Sequence, residues 1–260
     1  MTYRLAVANE KGGVGKTTTA INVAGALADR DHDVLFVDLD AQGNGTIGLG
    51  FDASYTATAT SLYDVLVDLE EQQQIDEVIQ SHDEFDVLPS HIDMFNAESE
   101  LQTAMRGRER LWMAFDALDA TYDYIVIDSP PSLGMLTDNA LLACRNVLIP
   151  ALAEATSQHA LDILFDHIET LEEGYGVDID PVGIVINRIE VDGEADRMLE
   201  WFENKFGESL PIWKVRNRVA LKRAWANNSS IFGHHETTDM DDRFQAIAAR
   251  LATTTRSPQQ

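Results

Sequence analysis

Leu5 to Ala8 is a short unbroken apolar run, Asn9 to Thr19 holds three glycines and two lysines, and Ala20 to Leu27 repeats apolar residues at helical spacing. A buried strand that feeds a glycine turn which opens a helix constrains the fold more than any other stretch of the sequence. Glycines let backbone N–H groups crowd around an anion, and the helix N-terminus adds the positive end of its dipole. Within Gly12, Gly13, Val14, Gly15, Lys16, Thr17 and Thr18, Lys16 can pair with the β and γ oxygens of a nucleotide, and the Thr17 hydroxyl can hold Mg²⁺. The strict pattern G-x-x-x-x-G-K-[ST] would place glycine at the position of Glu10. This chain instead carries a second lysine, Lys11, inside the loop.

Two further strands end in aspartate. Asp33 to Asp38 is continuous in apolar residues as a strand covered on both faces requires, and it leads into Asp38-Leu39-Asp40-Ala41-Gln42-Gly43-Asn44. In an open α/β sheet ligands bind at the carboxyl ends of the strands, so Asp38 and Asp40 can face the phosphates, although either can also cap its own loop. Tyr124 to Asp128 is the other such strand, followed by Ser129-Pro130-Pro131. A carboxylate there can hold Mg²⁺ through its water shell, because Mg²⁺ gives up water reluctantly.

A lysine directly before Gly-Gly-Val-Gly-Lys-Thr-Thr resembles the deviant Walker A motif of the ParA/MinD family of ATPases, and the aspartate segments follow in that family's order. The resemblance covers essentially the whole chain. It implies a doubly wound, mostly parallel sheet with helices on both faces, as one P-loop ATPase domain over residues 1–260 with a polar tail from about 253. It implies ATP and Mg²⁺, a nucleotide-sandwich homodimer in which Lys11 crosses to the phosphates of the other subunit, and slow hydrolysis with catalytic roles for Lys11, Lys16 and Asp40. Asp40 matches the switch I position that orients the attacking water, Asp128 the Walker B aspartate, and Ser129 to Gly134 switch II. Thr17, Asp40 and Asp128 then form the metal set. Asn187 matches the position that reads the adenine edge, though asparagine is also a common turn and N-cap residue.

The chain carries 44 acidic and 19 basic residues, a formal net charge of −25, and only five lysines. An acid-rich, lysine-poor surface is one way to stay hydrated in concentrated salt, which points to a halophilic source, with an ordinary acidic cytosolic protein as the plainer alternative. Such a charge repels nucleic acid and anionic membrane, so contact with either requires a local basic patch. Ser209 to His235 supplies one: it has no Asp or Glu, and Lys214, Arg216, Arg218, Lys222 and Arg223 fall within ten residues. DNA phosphate binding is the functional reading. In the family this region also lies near base and ribose, so Arg216 and Arg218 have nucleotide or interface contact as the competing role. At ~1 M salt the Debye length is about 3 Å, which weakens simple electrostatic attraction, and Trp225, Asn217 or direct hydrogen bonds would then have to contribute.

Residues 43–60 show no useful periodicity and read as a loop, mobile without nucleotide. Asp68 to Gln74 reads as a solvated face. His159 and His167 lack a convergent set of ligands and read as structural or surface residues. Cys144 is alone, which excludes an intrachain disulfide and a cluster-bridging electron carrier. No apolar run approaches the ~20 residues of a membrane span, Met1 to Arg4 shows no signal region, and the tail lacks the basic amphipathic face of a MinD-like membrane helix. The expectation is a cytoplasmic, nucleoid-associated ATPase that partitions plasmid or chromosome with a ParB-like partner and no membrane. The rivals are an orphan ParA-like ATPase that positions a protein assembly and a metabolic ATP-dependent enzyme on the same fold.

Overall fold

The computed structural model describes residues 2–189, 193–216, 218–234 and 238–254. Asn217, His235 and residues 255–260 of the polar tail lie outside the described residues. In chain order the elements are β1 (Tyr3–Val7), α1 (Lys16–Ala28), β2 (Val34–Asp38), α2 (Asn44–Gly48), α3 (Asp52–Tyr55), α4 (Leu62–Val67), α5 (Ile75–Val78), β3 (Gln80–Ser81), β4 (Asp86–Leu88) and α6 (Met94–Thr103). They continue with α7 (Arg110–Asp116), β5 (Tyr124–Asp128), α8 (Met135–Cys144), β6 (Asn146–Leu152), α9 (Thr156–Tyr175), β7 (Asp180–Ile189), α10 (Gly193–Phe206), β8 (Ile212–Arg216), α11 (Val219–Ala226) and α12 (Asp241–Thr254).

Eight strands form one sheet in the order β3, β4, β2, β5, β1, β6, β7, β8. Every pairing is parallel except that of the edge strand β3 with β4. The central strands β2 and β5 are buried at every position, which is why they read as unbroken apolar runs. One helical layer, from α4 through α10, packs Leu66, Leu101, Leu111, Leu141, Leu164 and Phe202 against one face of the sheet. The other face is covered by α1, α11 and α12 through Ile21, Leu27, Ala224, Phe244 and Leu251. The doubly wound α/β architecture expected from the sequence is therefore present.

The irregular stretch expected over residues 43–60 is corrected: α2 and α3 lie within it. They are five and four residues long, α2 buries only Gly45, Thr46 and Gly48 and α3 buries none, so neither shows an apolar period; Thr46 on Asp38 holds α2 in place. The expected solvated face at Asp68 to Gln74 closes in a 3₁₀ turn, Glu71–Gln74, that buries Gln72. All ten positions of α8 are buried, so this helix has no polar face and its sequence carries no helical period. His167 is structural, sharing a 2.6 Å hydrogen bond with the buried Asp138, to which Arg108 also donates. Among the described residues no helix is long and apolar enough to cross a membrane.

Candidate active site

Parallel register brings three strand ends together, since Val7 pairs with Asp128 and Asp128 with Asp38. The glycine loop leaves this edge directly. Asn9 fixes its start: the side-chain amide donates to the Pro150 carbonyl at 2.7 Å, and its oxygen accepts the Lys11 N–H at 3.0 Å. Gly15 closes the loop with φ +89°, and a Cβ there would meet Asn187 Nδ2 at 2.8 Å, so only glycine fits. From Lys16 the chain is helical, with no side chain capping the N-terminus of α1. An uncapped helix N-terminus at the end of a glycine loop fits a phosphate group.

Lys16 is buried, and its ammonium donates to the Lys11 carbonyl at 3.2 Å. Burial lowers its pKa, while Asp128 and Asp40 act to raise it. The three aspartates divide their work. Asp38 accepts hydrogen bonds from the Thr46 N–H at 2.7 Å, the Thr46 hydroxyl at 2.8 Å and the Asp40 N–H at 3.2 Å, so it holds the following loop. Asp40 accepts the Gln42 N–H at 3.0 Å, and its carbonyl accepts the Ser90 hydroxyl at 2.7 Å. Asp128 is fully buried, and neither of its carboxylate oxygens has a hydrogen-bond partner. Burial pushes all three carboxyls up, Asp38 to about 7. For Asp128, Asp38 adds to the rise, while the Thr17 hydroxyl opposes it without reaching hydrogen-bond geometry.

An unpartnered buried carboxylate beside a threonine hydroxyl and a glycine loop fits a hydrated divalent cation. Among the described residues no group of three or more His, Cys, Asp or Glu side chains could cage a metal by itself. Few protein ligands, with water and phosphate completing the shell, is the usual Mg²⁺ arrangement.

The two loop lysines diverge. Whereas Lys16 lies within the loop, the Lys11 ammonium bonds Glu154 at 2.7 Å and the Thr156 hydroxyl at 2.6 Å, at the turn between β6 and α9. The sequence carried no signal for Glu154, Thr156 or Ser90 as parts of this site, because each depends on where a distant strand ends. Asn9 alone was placed to be noticed, directly before the loop.

A cleft of about 620 Å³ opens beside Gly15 and Thr18, walled by Asn187, Val215, Arg216, Lys222 and Trp225. The Asn187 amide donates to the Val14 carbonyl at 2.9 Å and to the Thr19 hydroxyl at 3.0 Å. Both its hydrogens are thus committed, and only its carbonyl oxygen can accept from a base. The basic residues do not form one free patch. Lys214 pairs with Glu203 at 3.0 Å, Arg218 makes two hydrogen bonds to Asp239, Arg216 and Lys222 line the cleft, and Arg223 projects from α11 on the exposed side.

The family model described as AAA domain matches residues 2–180. The chain is 37% identical over 230 residues to the sporulation initiation inhibitor protein Soj of Bacillus subtilis, covering 87% of this chain and 89% of that one. It is 34% identical over 255 residues to the chromosome-partitioning ATPase Soj of Thermus thermophilus, covering 95% and 94%. Among solved structures, cobyrinic acid a,c-diamide synthase from Mycobacterium smegmatis with bound ADP and magnesium superposes with a TM-score of 0.81 at 27% identity, over 100% of this chain and 97% of that one. With the glycine loop, the paired strand-end aspartates and the doubly wound sheet, these likenesses place the chain in the ParA/Soj family of P-loop ATPases.

Proposed function

We propose that this ParA-type ATPase is a single-domain, ATP-gated switch. Two ATP-bound copies close over their nucleotides, each Lys11 reaches the phosphates held by the other, and the pair rides on non-specific DNA to partition a plasmid or chromosome. Gly12 to Thr18 cradle the triphosphate, Lys16 neutralises charge on its β and γ groups, and the Asn187 oxygen meets the adenine edge. Thr17, Asp40 and Asp128 would hold Mg²⁺, which would supply neutralisation of charge on the transferring phosphate. Asp40 orients the attacking water, and a ParB-like partner speeds the slow step. Lys214, Arg216, Arg218, Lys222 and Arg223 supply the DNA contacts, with Lys214 and Arg218 exchanging Glu203 and Asp239 for phosphates. The protein works in the cytoplasm on the nucleoid, and its acidic surface is that of a halophile.

The observation that carries this reading is the divergence of the two lysines: one lies in the loop, while the other points away from it to a polar perch on the surface. Light scattering tests it. The expected result is a dimer with ATP, a monomer with ADP, and a monomer under both conditions for Lys11→Ala. A Lys11→Ala protein that dimerises like wild type would remove the crossing lysine from the account. The Glu154 perch is half exposed, and exposed ion pairs contribute about 0–1 kcal/mol. Glu154→Ala is therefore expected to lower the ATP concentration needed for dimerisation by no more than about fivefold, read in the same instrument.

The 27% likeness to cobyrinic acid a,c-diamide synthase favours one second reading, an ATP-dependent enzyme acting on a small molecule. Such an enzyme would show ATP turnover that depends on a small-molecule substrate and is indifferent to DNA.

A further inference from the structure

We infer that Tyr55 is a positioning residue for Asp40, gripping the turn that follows it and thereby setting the rate of ATP hydrolysis; this rests on the proposed role of Asp40. The turn Asp40 to Gly43 is closed by the Gly43 N–H on the Asp40 carbonyl at 2.8 Å and by the Gln42 N–H on the Asp40 carboxylate at 3.0 Å. Two hydroxyls hold it from outside through consecutive carbonyls. Ser90 donates to the Asp40 carbonyl at 2.7 Å, and Tyr55 donates to the Ala41 carbonyl at 2.8 Å. Among the described residues the Ala41 carbonyl takes no other hydrogen bond.

The ring of Tyr55 adds a steric grip. Gly43 sits at φ +63°, and a Cβ there would collide with the Tyr55 ring, so the ring rests directly on the glycine. The helix that carries Tyr55, α3, has no buried residue of its own. Beyond helical bonds to Phe51, its backbone is tied through the Ile92 N–H on the Tyr55 carbonyl at 3.0 Å, two residues from Ser90. Tyr55 and Ser90 therefore bracket the backbone of the turn that carries the carboxylate, through the Ala41 and Asp40 carbonyls, with the tyrosine on its less anchored side. A water-orienting group displaced by a fraction of an ångström loses rate without losing substrate affinity.

The test is single-turnover ATP hydrolysis with titration of a non-hydrolysable ATP analogue on the full chain. Variants are Tyr55→Phe, Tyr55→Ala and Asp40→Asn, with circular dichroism to confirm folding. Loss of one hydrogen bond of ordinary strength corresponds to about a twofold to tenfold change. Tyr55→Phe, which keeps the ring, is expected to lower kcat about threefold to tenfold with KM and analogue affinity within about twofold. Tyr55→Ala should fall further, and Tyr55→Phe should change nothing more in the Asp40→Asn background. Wild-type kcat in Tyr55→Phe beside an inactive Asp40→Asn overturns the Tyr55 role alone. A raised KM with unchanged kcat also overturns it, by making Tyr55 a binding residue. Undiminished hydrolysis in Asp40→Asn overturns the underlying reading of Asp40 and the Tyr55 role with it.

Discussion

Asp40→Asn is expected to cut basal ATP hydrolysis by at least ~100-fold while leaving ATP affinity within about threefold, in line with the 10²–10⁴ that a positioned proton acceptor contributes. The substitution is mild for the fold. Asparagine keeps the side-chain oxygen that accepts the Gln42 N–H, and the grip of Ser90 is on the Asp40 backbone carbonyl, which is unchanged. What disappears is a carboxylate that burial holds above its usual pKa beside the Lys16 ammonium. The variant should consequently bind ATP, dimerise and stay assembled. Single-turnover hydrolysis alongside analogue titration checks this, and hydrolysis within about tenfold of wild type would assign the water-orienting role elsewhere.

Asp128→Asn is expected to do two opposite things: abolish Mg²⁺-dependent hydrolysis and raise the melting temperature of the nucleotide-free protein. Both Asp128 oxygens are buried without a hydrogen bond and lie near Asp38, an arrangement that costs stability and that a bound cation would relieve. An unsatisfied buried polar group costs about 1–3 kcal/mol, and a neutral amide, which cannot ionise beside Asp38, is expected to recover roughly 1–2 kcal/mol of it. For a chain of this size that is about 2–4 °C per kcal/mol.

The pH dependence has a fixed sign. Because the folded carboxyls of Asp38, Asp40 and Asp128 titrate above their unfolded values, their contribution to stability is fully present below about pH 4 and is lost as pH rises through the folded values, about 7 for Asp38. Thermal melts at rising pH should therefore show this part of the stability declining. Mg²⁺ should offset the decline in wild type more than in Asp128→Asn. A lower melting temperature for Asp128→Asn at neutral pH would mean that the carboxylate is already satisfied without a cation.

The parts of the site that were legible in the sequence are those whose function and local structure coincide. The loop from Gly12 to Thr18 needs glycine where φ is positive, and Asp38 and Asp128 end strands that are apolar throughout because helices cover both faces. These signals lie within a few residues of the chemistry. The role of Asp38 could not be decided from its position alone: its bonds to Thr46 come from a helix formed eight residues later in a stretch without apolar period. Glu154 and Ser90 were invisible because their proximity to the site is created by sheet order, and Tyr55 because the fold-back of α3 onto the turn after β2 leaves no apolar period in the sequence. The basic cluster was legible as composition, but Glu203 and Asp239, which pair with Lys214 and Arg218, lie outside the acid-free window that drew attention to it.

The central claim is an ATP-gated dimer that rides on DNA, and it is tested most directly by titrating non-specific duplex DNA with ATP, ADP or no nucleotide over a KCl series reaching molar concentrations. Wild type, Asp40→Asn and Lys11→Ala are measured side by side. The account predicts binding that requires ATP, persists in Asp40→Asn and is lost in Lys11→Ala. Absence of ATP-dependent binding at every salt concentration, or equal binding with and without nucleotide, would contradict it.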